Sequence, residues 1–193
     1  MTNEGLKKWL QLFTDKVVAN KQYLSDLDTP IGDGDHGANM ARGTTEMMKA
    51  IEEKNPETVT DTLKLSAMTL ISKVGGASGP LYGSAFMGMT KASMKSDSLV
   101  EILEAGLADI QKRGKAEVGE KTMVDVWSPI IEALKQNDLT MEKVQSFADA
   151  TKDIKATKGR ASYLGERSIG HIDPGSQSSA YLFETMIEAG VVE

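Results

Sequence analysis

Apolar residues recur every three or four positions in segment after segment, the spacing that gathers them on one face of a helix. Leu6, Trp9, Leu10, Phe13 and Val17 form a first stripe, Met40, Met47, Met48 and Ile51 a second, and Leu63, Ala67, Leu70, Ile71 and Val74 a third. A fourth holds Leu81, Ala85, Phe86 and Met89, and a fifth Leu99, Ile102, Leu103, Leu107 and Ile110. Val126, Trp127, Ile130, Ile131 and Leu134 follow; then Met141, Val144, Phe147, Ala148 and Ile154; and last Ala180, Tyr181, Phe183, Met186 and Ile187. The pattern predicts eight helices and no strand. The methionines and tryptophans in the stripes read as core.

The connections fall into two kinds. Those after the second, fourth and sixth helices are short and polar, centred on Asn55-Pro56, Ser96-Asp97 and Asn137-Asp138. Those after the first, third, fifth and seventh are longer or rich in glycine: Asp28 to Gly37, Gly75 to Pro80, Gly114 to Lys121, and Gly159 to Gly175. In an up-and-down array of helices, alternate connections lie at the same end. All four unusual loops are therefore expected on one rim.

Composition agrees with helices, since aromatic content is only 5% while methionine reaches 11 residues. At 193 residues with no compositional break, the expectation is one domain, 1–193, burying about 70% of its unfolded surface. A formal charge of -6 argues against nucleic acid or an anionic membrane as partner, because both demand clustered Lys and Arg. A phosphorylated ligand must then bring metal. The chain has no cysteine, no apolar leader and no run of about 18 apolar residues, so a cytoplasmic location is expected.

The first unusual loop sets Asp28, Asp33 and Asp35 within eight residues, with Gly32 and Gly34 among them and Gly37 two residues further on. Carboxylates packed this closely repel each other, and glycines supply the backbone angles needed to wrap an ion. All-oxygen ligands suit magnesium. Ordinary Asp-Gly and Gly-Asp turns use the same residues.

In the second loop, Gly75-Gly76-Ala77-Ser78-Gly79-Pro80 leads into a helix with Ser78 as its expected cap. Glycines there let backbone approach a ligand, and free amides at a helix start attract anions. No Walker A loop or dinucleotide fingerprint occurs. Thr122 is the expected cap after the third loop, whose lysines are expected to face water. The fourth loop is too long for a neutral connector. It carries Arg160 and Arg167 as candidate phosphate contacts, an Asp173-Pro174-Gly175 turn, and Ser176 as the expected cap of the last helix. The two histidines, His36 and His171, lie in unusual loops without the spacing of a zinc site. An acidic, glycine-rich constellation with no evident nucleophile suits phosphoryl transfer, where positioning and neutralisation of charge do most of the catalysis.

The runs Ile31-Gly32-Asp33-Gly34-Asp35-His36-Gly37-Ala38-Asn39-Met40, Gly75 to Gly83, and Gly159 to Gly165 through Asp173 to Ser176 together resemble the L subunit of dihydroxyacetone kinase. The resemblance runs in order along nearly the whole chain. It implies an all-α fold, an eight-helix antiparallel up-and-down barrel, with ADP cycling to ATP on one rim. Two Mg2+ ions would join the phosphates to Asp28, Asp33 and Asp35. His36, Gly37, Ala38, Asn39, Ala77 and Ser78 would line the phosphates. Gly114, Met123, Arg160, Asp173, Pro174 and Gly175 would surround the base and sugar.

The resemblance also implies partners. A phosphotransferase-system M subunit would rephosphorylate the bound ADP, and a K subunit would hold the dihydroxyacetone that receives the γ-phosphoryl. No general base is expected in this chain, because the substrate sits on the K subunit. Three other readings use the same features: the L chain of an ATP-dependent two-chain kinase, the nucleotide domain of a fatty-acid kinase, and a non-catalytic interaction module.

Overall fold

The computed structural model describes residues 1–192. Nine α-helices follow one another: α1 (Asn3–Ala19), α2 (Lys21–Asp28), α3 (His36–Lys54), α4 (Val59–Lys73), α5 (Ser78–Ser93), α6 (Leu99–Gly114), α7 (Val124–Lys135), α8 (Met141–Ala150) and α9 (Pro174–Glu188). Two 3-10 segments, Thr151–Asp153 and Arg160–Ser168, lie between α8 and α9. Among the described residues there is no strand.

Eight of these helices form a closed ring. Each long helix packs on the next, and α1 closes the circle by packing on both α3 and α9. The stripes face inward and merge into one apolar core containing Trp9, Phe13, Tyr82, Phe86, Trp127 and Phe183. Trp127 meets Phe183 edge to face at 4.9 Å, and the Trp9 indole N–H donates to the Leu182 carbonyl at 2.6 Å. The core's aromatic N–H groups are thus satisfied inside the ring, as burial requires. No described helix is long and apolar enough to cross a membrane.

The helix starts differ between the two ends. At one end Thr2, Thr58, Ser98 and Thr140 occupy N-cap positions, and their hydroxyls accept the amides of Gly5, Asp61, Glu101 and Lys143. Each satisfies an amide that the helix itself cannot. At the other end the N-cap residues of α3, α5 and α7, Asp35, Ala77 and Met123, make no cap with their own side chains; the His36, Gly37 and Val124 amides go to Asp28, Ser25 and Thr122 instead.

Several expectations are corrected. Asp28 is not in a loop but ends the short helix α2, which bridges α3 and α9. Ile71 is 49% exposed, on the outside of α4; Met141, read as core, is 37% exposed at the start of α8; and Ile154 lies past the end of α8. Ser78 does not cap α5 but forms its first residue, while Ala77 holds the cap position. The cap of α9 is Asp173, whose carboxylate accepts the Ser176 amide; Ser176 is already inside the helix. Met123, not Thr122, stands at the N-cap of α7, with the Thr122 hydroxyl accepting the Val124 amide at 3.2 Å.

Gly37 permits the tight approach of α2 to α3. A Cβ there would lie 1.7 Å from the Lys21 carbonyl oxygen, which is backbone and cannot swing aside. Gly37→Ala is therefore expected to destabilise the protein by about 3 kcal/mol, lowering the melting temperature by about 6–12 °C in a thermal denaturation scan.

Candidate nucleotide and metal site

All four long connections contribute to one cleft at the end of the ring where α3, α5, α7 and α9 begin. The acidic cluster forms first. After α2 the chain turns so sharply that the Gly32 amide reaches the Asp28 carbonyl at 2.6 Å, and a Cβ on Gly32 would lie 1.9 Å from the Asp28 carboxylate. Gly34 then takes φ +76°, a left-handed angle that glycine adopts without strain. This turn folds the chain back so that Asp28 accepts the amides of Asp35 at 3.0 Å and His36 at 3.3 Å.

One carboxylate oxygen from each of Asp28, Asp33 and Asp35 lies within 4.8 Å of the others. Asp28 is buried, and Asp33 and Asp35 are exposed. Burial raises the Asp28 pKa, the two amides oppose that rise, and the neighbouring Asp33 carboxylate adds to it. The Arg160 guanidinium pairs with Asp33. Three mutually repelling, oxygen-only donors open to a cleft form the donor set that hard divalent cations select. The residues present therefore fit a magnesium-type ion.

The starts of α3, α5 and α7 border the same cleft. The positive ends of their three helix dipoles add an anion-attracting field beside the carboxylates, although the His36, Gly37 and Val124 amides are already taken by Asp28, Ser25 and Thr122. Gly76, at φ +65°, turns the chain into α5, and Gly75 sits so near Asn39 that a Cβ would lie 2.6 Å from its side-chain oxygen. His36 is held between two hydroxyls, with Nδ1 at 3.0 Å from Ser78 Oγ and Nε2 at 2.9 Å from Ser178 Oγ. Burial of the ring pushes its pKa down to about 4, so it is neutral at physiological pH.

Lys121, expected to face water, is 1% exposed. Its ammonium donates to the carbonyls of Thr151 at 2.6 Å, Ile154 at 3.2 Å and His171 at 2.5 Å. The third long connection is thereby fastened both to the chain just after α8 and to the fourth connection. Asp125 braces the same turn by accepting the amides of Gly119 and, at 2.8 Å, Thr122. Asp173 lies on the cleft wall, where burial pushes its pKa up to about 6 against the opposing pull of the Ser176 amide, the Ser176 hydroxyl and the Lys121 ammonium.

The cleft brings together Asp28, Asp33, Asp35, His36, Asn39, Ala77, Ser78, Met123, Arg160, Asp173, Pro174 and Gly175. Gly37, Ala38 and Gly114 lie off its wall. Gly37 is sealed against α2, Ala38 is exposed on the outer side of α3, and Gly114 ends α6 near Leu81. Sequence reasoning missed Lys121 and Asp125 altogether. The only available signal for Asp125 was its place three residues after Thr122, a spacing that suits a carboxylate accepting amides at a helix start. Lys121 gave no signal, since its three acceptors come from distant positions.

An all-helical ring with an acidic, amide-rich cleft at one end defines a class, and the DAK2 domain matches residues 30–188 of it. The chain belongs to that family. It is 59% identical to the PTS-dependent dihydroxyacetone kinase ADP-binding subunit DhaL of Lactococcus lactis, covering 97% of this chain and 98% of the relative. Against the PEP-dependent dihydroxyacetone kinase 1 ADP-binding subunit DhaL of Listeria innocua it is 57% identical, with 95% of each covered. The dihydroxyacetone kinase of C. freundii, solved in complex with AMP-PNP and Mg2+, shares the fold at a TM-score of 0.79. That likeness has 24% identity and covers 97% of this chain and 34% of the solved one, so this chain spans about a third of that protein.

Proposed function

We propose that residues 1–193 act as one nucleotide-binding domain, the ADP-carrying subunit of a phosphotransferase-system-dependent dihydroxyacetone kinase. The observation that carries the reading is the convergence, in a single cleft, of the aspartate trio with the starts of α3, α5 and α7, whose dipoles turn their positive ends toward it. The relatives named above favour this reading over a fatty-acid kinase domain, an ATP-dependent two-chain enzyme or a non-catalytic module.

Asp28, Asp33 and Asp35 would hold two Mg2+ ions, which neutralise phosphate charge and fix the phosphates for in-line transfer. The chain's own groups complete the cradle. The start of α5, with Asn39, Ala77 and Ser78, faces the phosphates, and His36 orients the Ser78 hydroxyl. Gly37 and Ala38 form the first turn of α3 behind the cleft wall, where the Gly37 amide donates to Ser25 Oγ and helps fix α2 on α3. Met123, Pro174 and Gly175 supply surface for the base and sugar, and Gly114 closes the end of α6 beside Leu81. The Asp173 carboxylate is suited to accept ribose hydroxyls, and Arg160 can leave Asp33 to meet phosphate oxygens. Bound ADP supplies the acceptor for a phosphoryl group from the M subunit and, as ATP, the donor to dihydroxyacetone on the K subunit. None of these side chains acts as a general base. The cysteine-free composition suits a cytoplasmic location.

Native mass spectrometry of freshly purified protein tests the reading. The expected mass is the chain plus ADP and about two magnesium ions, collapsing to the bare chain after chelation. A bare chain in magnesium buffer before chelation contradicts it.

A further inference from the structure

From the cleft a chain of hydrogen bonds runs into the centre of the ring, further than any ligand contact requires. Ser78 Oγ meets His36 Nδ1 at 3.0 Å, and His36 Nε2 meets Ser178 Oγ at 2.9 Å. Ser178 Oγ meets the Tyr82 hydroxyl at 2.8 Å, and that hydroxyl meets Ser179 Oγ at 3.2 Å. The last link is the Trp127 indole nitrogen, 3.2 Å from Ser179 Oγ. Every member beyond Ser78 is buried, and four separate helices, α3, α5, α7 and α9, contribute to it.

The hydrogens can be placed by counting. Trp127 can only donate, so Ser179 accepts from it and has its own hydrogen left for Tyr82. Tyr82 then gives its single hydrogen to Ser178, the shorter of its two contacts. Ser178 has one hydrogen and two candidate acceptors, His36 Nε2 and the Gly175 carbonyl at 3.1 Å. That carbonyl lies in the first turn of α9, where helix geometry already supplies it with the amide four residues on. Giving the hydrogen to His36 therefore leaves nothing unsatisfied. The neutral ring then carries its hydrogen on Nδ1 and donates to Ser78, whose own hydrogen is free to point into the cleft. Giving it to Gly175 instead reverses the ring, turns Ser78 inward and presents only lone pairs to the cleft.

We infer that Trp127, Ser179, Tyr82 and Ser178 are positioning residues which order these hydrogens in one direction and so deliver the Ser78 hydroxyl hydrogen to a nucleotide phosphate. The inference rests on the proposed nucleotide reading of the cleft. Donors aligned head to tail polarise one another, and the effect is largest where the chain ends on an anion inside a poorly hydrated site. The indole N–H fixes the direction because it cannot accept. His36 works here as a coupler between two hydroxyls, with its orientation set from the core.

Nitrogen-15 NMR of ring-labelled histidine reads the arrangement directly, because the protonated and bare ring nitrogens of a neutral imidazole resonate far apart. His171→Gln removes the only other histidine signal. With magnesium and ADP bound, His36 is expected to carry its hydrogen on Nδ1, with Nε2 bare. In Tyr82→Phe, Ser178 loses its donor and accepts from the ring instead, so hydrogen is expected to move to Nε2 while the ADP dissociation constant rises about tenfold. Ser179→Ala should do the same in smaller degree, by about threefold, and stands in if Tyr82→Phe does not fold. Hydrogen on Nε2 in the ADP-bound parent protein overturns the inference, as does a Tyr82→Phe ring that keeps hydrogen on Nδ1. If the parent protein binds no ADP at all, the nucleotide reading fails first and this inference falls with it.

Discussion

Asp33→Ala is expected to lower phosphoryl transfer by about 10³-fold or more while leaving the melting temperature within a degree or two of the parent protein. The size follows from removing one charged contact to the ions that bind a transferring phosphoryl group. The small thermal effect follows from exposure. Asp33 is paired only with Arg160, and both side chains are largely in water, where such a pair contributes little to folding. Asp28→Ala is expected to match the loss of activity but also to cost about 1–3 kcal/mol, because the amides of Asp35 and His36 lose their acceptor in a buried turn. Asp35→Ala should behave like Asp33→Ala in activity. Coupled kinase assays beside thermal scans separate these outcomes. Retention of activity by Asp33→Ala at ordinary magnesium concentration would refute the metal assignment.

Lys121→Met is expected to be the most damaging single change outside the core. It would leave three carbonyls without their shared donor and remove the positive charge that faces Asp173 and Asp125. Breaking a buried charged contact of this kind costs about 3–5 kcal/mol, which corresponds to roughly 6–20 °C in melting temperature for a chain of this size. Nucleotide affinity should fall at least about tenfold as well, because Lys121 holds the segment bearing Arg160 and Asp173 against the third connection. Calorimetric titration with ADP below the variant's melting temperature separates loss of the site from loss of the fold. Lys121→Arg is not expected to rescue, since the planar guanidinium cannot occupy a pocket built for a compact ammonium.

Most of the ring could be read from spacing alone. The stripes named Trp9, Phe13, Phe86, Trp127 and Phe183, and each faces the core. Helix α2 was missed because Lys21–Asp28 offers a single fully buried apolar residue, Leu24, which is too little for a periodic signal. Ile71 joined a stripe by spacing and yet faces outward, because period counting cannot tell which edge of an apolar arc a neighbour covers. Among the caps, Ser78 and Ser176 fit the favoured residue type and were still misplaced. Ser78 spends its hydroxyl on His36, and Asp173 reaches the first amides of α9 ahead of Ser176.

By itself the sequence determined the helical periods, the alternation of short and long connections, and hence the end of the ring where the three aspartates would gather. These are local properties, set by residue spacing and by the angles that glycine and proline allow. Only the tertiary structure decided that Lys121 is buried, that Asp28 closes a helix, and that His36 is clamped between hydroxyls from α5 and α9. The first and last depend on carbonyls and hydroxyls brought from up to 142 residues away, a pairing that leaves no trace in any window of the chain, and the second on the packing of α2 against α3 and α9.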